Sequence, residues 1–282
     1  METMSKDRMR WPEGKSCAVM ISVNLEAEYF AKMYYPDENI DLATGEVAAL
    51  GWEGMTFGLP KILDALDAHN IKATFFVLAA VADKYPDAIK EIAIRGHEIG
   101  CHGYYHENLA LLSIAEQRSV LKRAIDRLEE VSGKKVKGFR MPEGEMTEET
   151  LNIVKDLGFT YSSSLSDDDV PYLREESQII ELPIHWELYD LPYFVYTWDP
   201  QIPQGQSRSA NANDVLENWK IELEGALKYG TLFNLQLDPQ ATGEQGRIFI
   251  LEELLDIVAQ NEKIWIATGE EIASYFEVSQ DN

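Results

Sequence analysis

Short apolar runs rich in β-branched and aromatic residues, bounded by turn residues, recur at 18–25, 73–78, 136–140 and 232–237, with a weaker one at 264–267. Each reads as a buried strand. Between them, apolar positions fall at helical spacing over 59–69, 87–95, 114–131, 148–157, 213–229 and 248–260, which predicts amphipathic helices. Strand and helix alternate, so the expected class is α/β with a mainly parallel sheet, closed as a barrel or open and doubly wound. No Gly-x-Gly-x-x-Gly follows the first strand, which favours the barrel. No repeat, low-complexity tract or linker divides the chain, so 1–282 is expected to be a single domain. The stretches 29–54 and 190–211 read as insertions on the functional face.

Charge narrows the partners. The 282 residues carry 25 basic and 49 acidic side chains, a formal net charge of −24. Such a surface repels phosphates, so neither nucleic acid nor an anionic membrane is an expected partner. The longest apolar run, 73–82, is too short to span a bilayer, and residues 1–10 are polar, without an apolar stretch of signal-peptide length. Cys17 and Cys101 lie in apolar segments without framework spacing, as buried thiols of a reducing compartment do. The expected location is the cytoplasm. The long loops could serve a homo-oligomer interface.

Of five histidines, His97, His102 and His106 crowd into Gly96-His97-Glu98-Ile99-Gly100-Cys101-His102-Gly103-Tyr104-Tyr105-His106. Two histidines with three residues between them can reach one metal from a compact loop, and neutral imidazole favours zinc. His97 reads instead as a structural residue that caps or bridges backbone. A two-histidine site needs a carboxylate to complete three protein ligands. The first strand ends Asn24-Leu25-Glu26-Ala27-Glu28, where alternation could place Asn24, Glu26 and Glu28 on one face at the site-bearing end of a barrel. Arg140, after another strand, can orient a carboxylate or an oxyanion. The segment from Glu181 to Phe194 mixes aromatics, acids and prolines like a pocket wall, with Trp186, Glu187, Asp190 and Tyr193 as candidate substrate contacts.

The assembled residues resemble the polysaccharide deacetylases, the NodB-homology hydrolases. The resemblance is carried by the end of strand one, the block Ile71-Lys72-Ala73-Thr74-Phe75-Phe76-Val77-Leu78, the Gly-His-Glu-Ile-Gly-x-His-x-x-x-His motif, Arg140-x-Pro142, and Leu237-Asp238-Pro239. Trp11-Pro12, the long first loop, Leu182-Pro183 with Trp186, Pro192-Tyr193-Phe194 and the stretch from Gly243 to Arg247 resemble a cytoplasmic branch containing peptidoglycan deacetylases and allantoinase-like hydrolases. The resemblance implies a distorted (β/α) barrel that hydrolyses a non-peptide carbon–nitrogen bond, usually at a divalent metal held by an aspartate and two histidines. It also implies an aspartate base and a late histidine acid. Here Asn24 stands at the base position, Glu26 at the metal aspartate and Asp238 at the acid, while His102 and His106 are kept.

With Glu28 and Tyr104 added as substrate contacts, these residues point to a metal-assisted hydrolase of a small amide, cyclic imide, ureide or N-acetyl sugar. Two other readings stay open. One is a binding protein on a degenerate deacetylase fold, since Asn24 cannot accept a proton and Asp238 can act as an acid only if its pKa is raised. The other is a metal-independent, allantoinase-like hydrolase. Glu28, Glu187, Asp190 and His185 are the groups available to replace the missing proton-transfer partners.

Overall fold

The computed structural model describes residues 9–33, 45–194 and 209–280. Among these, nine strands form one sheet: β1 (Cys17–Leu25), β2 (Thr74–Val77), β3 (Glu98–Cys101), β4 (Gly138–Phe139), β5 (Tyr161–Ser162), β6 (Tyr172–Leu173), β7 (Ile180–Glu181), β8 (Leu232–Leu237) and β9 (Ile264–Ile266). The order is β6-β7-β5-β4-β3-β2-β1-β8, with β9 also paired to β1, and every pairing is parallel except β6 with β7. The sheet curls into a half-barrel. β6 and β8 share no ladder, and contacts from the connecting chain cross that gap instead: Leu232 N–H donates to the Asp169 carbonyl, and Asn234 Nδ2 to the Pro183 carbonyl at 3.0 Å.

β1 organises the rest. All nine of its residues are buried, and strict alternation divides them. Cys17, Val19, Ile21, Val23 and Leu25 pack outward under the helices, together with Phe75 and Val77 of β2 and Phe233, Leu235 and Leu237 of β8. The inward face begins apolar, with Ala18, Met20 and Leu232 sealed by Ile272, Ala273 and Phe276 of the helix Gly269–Gln280. Farther along, the same face becomes polar at Ser22, Asn24, Asn234 and Gln236. One end of the half-barrel is a closed core, and the other is a polar floor.

The expected strands at 18–25, 73–78, 136–140, 232–237 and 264–267 all contain a strand, and the six expected helices lie within one residue of Leu59–Ala68, Pro86–Ile94, Ile114–Ser132, Glu148–Asp156, Ala212–Tyr229 and Ile248–Gln260. β3 went unread because its sequence, Glu-Ile-Gly-Cys, looks like a loop. Gly100 is a strand residue for a packing reason: a Cβ there would stand 2.6 Å from the Phe76 ring. β5, β6 and β7 have two residues each, too few for a pattern. The stretch 29–54 is not wholly loop, since it holds most of the 3-10 turn Ala27–Met33 and the helix Glu46–Glu53. Within 190–211 lies the short helix Leu191–Phe194. Residues 34–44 and 195–208 fall outside the described residues. Among the described residues, no helix is long and apolar enough to cross a membrane. Cys17 and Cys101 are free and buried.

Gly100→Ala is expected to lower the unfolding free energy by about 1–3 kcal/mol, measured by urea denaturation, because the added methyl must displace Phe76. His97 supplies a pH test. Its Nδ1 accepts the Ala73 N–H at 3.2 Å, and burial, with a smaller contribution from Lys72, lowers its pKa from 6.5 to about 4. The unfolded chain therefore binds more protons between those values, so this contribution is complete above pH 6.5 and is lost as pH falls towards 4. The expected loss is up to about 1.4 kcal/mol per pH unit, and His97→Asn should remove it in urea titrations at pH 7.5, 6 and 5.

Candidate active site

Parallel register aligns the carboxyl ends of the strands, and the first residue beyond each one builds the site. His102 N–H donates to Val77 O at 3.0 Å, Arg140 N–H to Cys101 O at 2.9 Å, and Ser163 N–H to Phe139 O at 2.9 Å. His102, Arg140 and Ser163 thus follow β3, β4 and β5, while Glu26 and Asp238 follow β1 and β8. This is the end of a parallel sheet where sites are ordinarily built. A cavity of about 510 Å³ opens there, lined by Asn24, Glu26, His102, His106, Arg140, Tyr189, His185, Trp186 and Gln236 among others.

Glu26 stands between two imidazoles. Its Oε1 lies 3.1 Å from His102 Nε2 and its Oε2 lies 3.3 Å from His106 Nε2, all three side chains being buried. His102 Nδ1 lies 3.0 Å from the Arg140 carbonyl, which can only accept, so Nδ1 carries the proton and neutral His102 presents a bare Nε2 to a carboxylate. Two acceptors facing each other need a cation between them or an added proton. Neither Glu26 Oε2 nor either ring nitrogen of His106 has a hydrogen-bond partner. The three donor atoms lie within 4.8 Å of one another and form a nitrogen–nitrogen–oxygen set suited to a divalent ion such as zinc. His106 has φ +65°, a strained conformation for a non-glycine residue that aims its ring at Glu26. Burial raises the Glu26 pKa, but His106 and His102 outweigh it and hold the group below the usual carboxylate range. Burial likewise opposes a charge on His106, yet Glu26 and Glu143 lift its pKa to about 10.

Arg140 forms the adjoining wall. Its Nη1 donates to Asn24 Oδ1 at 2.9 Å and to Ser22 Oγ at 3.1 Å, its Nε to Ser163 O and its Nη2 to Ser163 Oγ, both at 2.9 Å. These contacts turn the Asn24 amide so that Nδ2 faces the Tyr189 hydroxyl at 3.4 Å. Asp238 lies behind this layer. Fully buried, it accepts from Gln240 Nε2 at 3.0 Å, with the Tyr189 hydroxyl beside its carboxyl. Burial first, then the charges of Glu26 and Asp190, push its pKa well above the usual carboxylate range.

Several expected contacts fall elsewhere. Glu28 does not share the face of Asn24 and Glu26, because β1 ends at Leu25 and Ala27, at φ +50°, turns the chain into the 3-10 turn. Its carboxylate instead binds Lys84 Nζ at 2.8 Å and the Tyr85 hydroxyl. Tyr104 points away, donating to Asp83 at 2.9 Å under the Arg123 guanidinium. Of the pocket-wall segment, Trp186 does line the cavity and is 75 % exposed. Glu187 lines a second cavity with Asp169 and Glu222, and the Tyr193 hydroxyl donates to the Glu187 carbonyl. Asp190 is a buried bracket: its carboxylate accepts from the Asp238 and Thr242 backbones and the Thr242 hydroxyl, while burial raises its pKa to about 7.

Tyr189, Gln236, Ser22 and Ser163 were not singled out from sequence. Ser22 and Gln236 had a usable signal, each sitting two residues before a candidate on the same strand line. Tyr189 sits in irregular chain, where no period tells which side chain faces inward.

A half-barrel with a histidine pair, a carboxylate and a buried arginine at its carboxyl end defines a hydrolase of the deacetylase type. The chain belongs to the polysaccharide deacetylase family, whose family model matches residues 47–162. A solved structure from Mycobacterium smegmatis, named for the polysaccharide deacetylases, is 31 % identical with a TM-score of 0.88, covering 96 % of this chain and 94 % of that one. The peptidoglycan deacetylase of Helicobacter pylori is 22 % identical over 78 % of this chain and 83 % of its own. An allantoinase, PuuE, shares the fold at 21 % identity and a TM-score of 0.82, covering 96 % and 94 % of the two chains.

Proposed function

We propose that residues 1–282 form one catalytic domain that hydrolyses the carbon–nitrogen bond of an N-acetyl carbohydrate derivative, with a divalent metal held by Glu26, His102 and His106. The observation that carries this reading is the bare His102 Nε2 facing the Glu26 carboxylate at the floor of the cavity. Bound there, the ion would supply Lewis-acid polarisation.

The chain's own residues divide the remaining work. Asn24, oriented by Arg140, places its Nδ2 at the wall, where a substrate carbonyl gains charge as it becomes tetrahedral. Asn24 cannot take a proton from water. Among the replacements considered, Glu28, Glu187 and Asp190 face elsewhere, which leaves His185, at the cavity wall with Nε2 3.6 Å from Asp169, as the base. Asp238 holds a proton for the leaving amine and passes it through the Tyr189 hydroxyl, since Tyr189 lines the cavity and the buried carboxyl stands behind it. The two buried thiols are in keeping with a reducing, cytoplasmic location.

Two outcomes are expected when acetate release from N-acetylglucosamine oligomers is followed. A chelator should abolish turnover and added zinc should restore it; turnover unchanged by chelation would overturn the metal assignment. Tyr189→Phe should lower kcat by about 10²- to 10³-fold with KM nearly unchanged. A parallel screen of ureides and cyclic imides separates the substrate classes, and no turnover of any of them would leave a binding protein in place of the enzyme.

A further inference from the structure

Arg140 is a buried cation whose direct hydrogen-bond partners among the described residues are all uncharged. It is 2 % exposed, its guanidinium lies 4.2 Å from the Phe76 ring centroid, and its protein acceptors are neutral: two serine hydroxyls, one carbonyl and the Asn24 amide oxygen. Among the described residues, no carboxylate oxygen reaches it at ion-pairing distance. The nearby acids are otherwise engaged. Glu26 is held between His102 and His106. Glu181 Oε1 accepts the Ser164 and Leu165 N–H groups, and burial raises its pKa to about 7, so its charge is partly lost at neutral pH. Asp238 accepts from Gln240 Nε2 at 3.0 Å, and burial raises its pKa. Asp167, also on the cavity lining, binds Arg174 at 2.8 Å.

Taking a guanidinium out of water is costly unless a counter-charge meets it. An aspartate at position 24 would meet it from within the chain. Asn24 has the same shape without the charge, and it leaves the counter-charge to whatever enters the cavity. Nη2 keeps a second N–H without an acceptor among the described residues.

We propose that Arg140 selects, among the amides this cavity accepts, those that carry a carboxylate close to the reacting group. This inference rests on the cavity being the hydrolytic site. An anion held by a planar guanidinium gains charge-assisted hydrogen bonds that a neutral analogue cannot make.

The test is calorimetric titration of the full chain with two matched pairs, read as binding without turnover. N-acetylmuramic acid against N-acetylglucosamine probes a carboxylate on a sugar, and N-carbamoylglycine against its primary amide probes one on a small ureide. In at least one pair the acid should bind roughly tenfold or more tightly than its neutral partner. The advantage should persist in Asn24→Ala, which keeps Arg140 uncompensated, and should shrink to within about twofold in Asn24→Asp, which supplies the internal anion. Equal affinity within both pairs, no detectable binding of either acid, survival of the advantage in Asn24→Asp, or its loss in Asn24→Ala would each overturn the proposal. A chain that binds the acids selectively but hydrolyses nothing would support it while refuting the proposed reaction.

Discussion

The Glu26 carboxylate, buried between two imidazole nitrogens, is the contact on which the site depends. A hydrogen bond from the His102 Nδ1 proton to the Arg140 carbonyl leaves Nε2 without a proton in the neutral ring, so the 3.1 Å approach to Glu26 brings together two lone pairs. In a buried setting such a contact needs positive charge, from a metal ion or from protonation of the histidines. The strained backbone at His106 points the same way, because a non-glycine residue at φ +65° persists only where its surroundings hold it.

The fold delivers this contact by register. Five strands present their carboxyl ends at one level, and inward alternation along β1 changes from apolar Ala18 and Met20 to polar Ser22 and Asn24 over a few residues. The helix Gly269–Gln280 closes the apolar end, so the polar end is the half that opens to solvent. Charge is sparing in that polar half. Beside Glu26, the buried groups are a guanidinium on neutral acceptors, an amide, a tyrosine hydroxyl and a carboxyl whose pKa lies far above its usual range. Asn24 and Asp238, departures from the pattern that the family resemblance implies, are thus parts of one low-charge arrangement.

Much of this was legible in the sequence. The long apolar strands and the helices with clear period were readable because burial writes itself into spacing. β3 was not, because its inward position is occupied by the Phe76 ring and only glycine fits beside it. Glu26, His102 and His106 could be named from motif spacing and converge in the structure. Glu28 and Tyr104 could not be placed, since one residue of left-handed backbone at Ala27 breaks the strand alternation and a loop tyrosine has no period to follow. Asp238 could be named as a buried acid, but its place behind Tyr189 depends on how the irregular chain before β8 folds back, which no local pattern encodes.

The most direct measurement is anomalous diffraction at the zinc absorption edge from crystals grown with zinc. A single peak is predicted roughly 2.0–2.3 Å from the Glu26 carboxylate, His102 Nε2 and His106 Nε2. The account would be contradicted by the absence of a peak there while Glu26 stays in direct contact with both imidazoles, because the triad would then be held by protons alone.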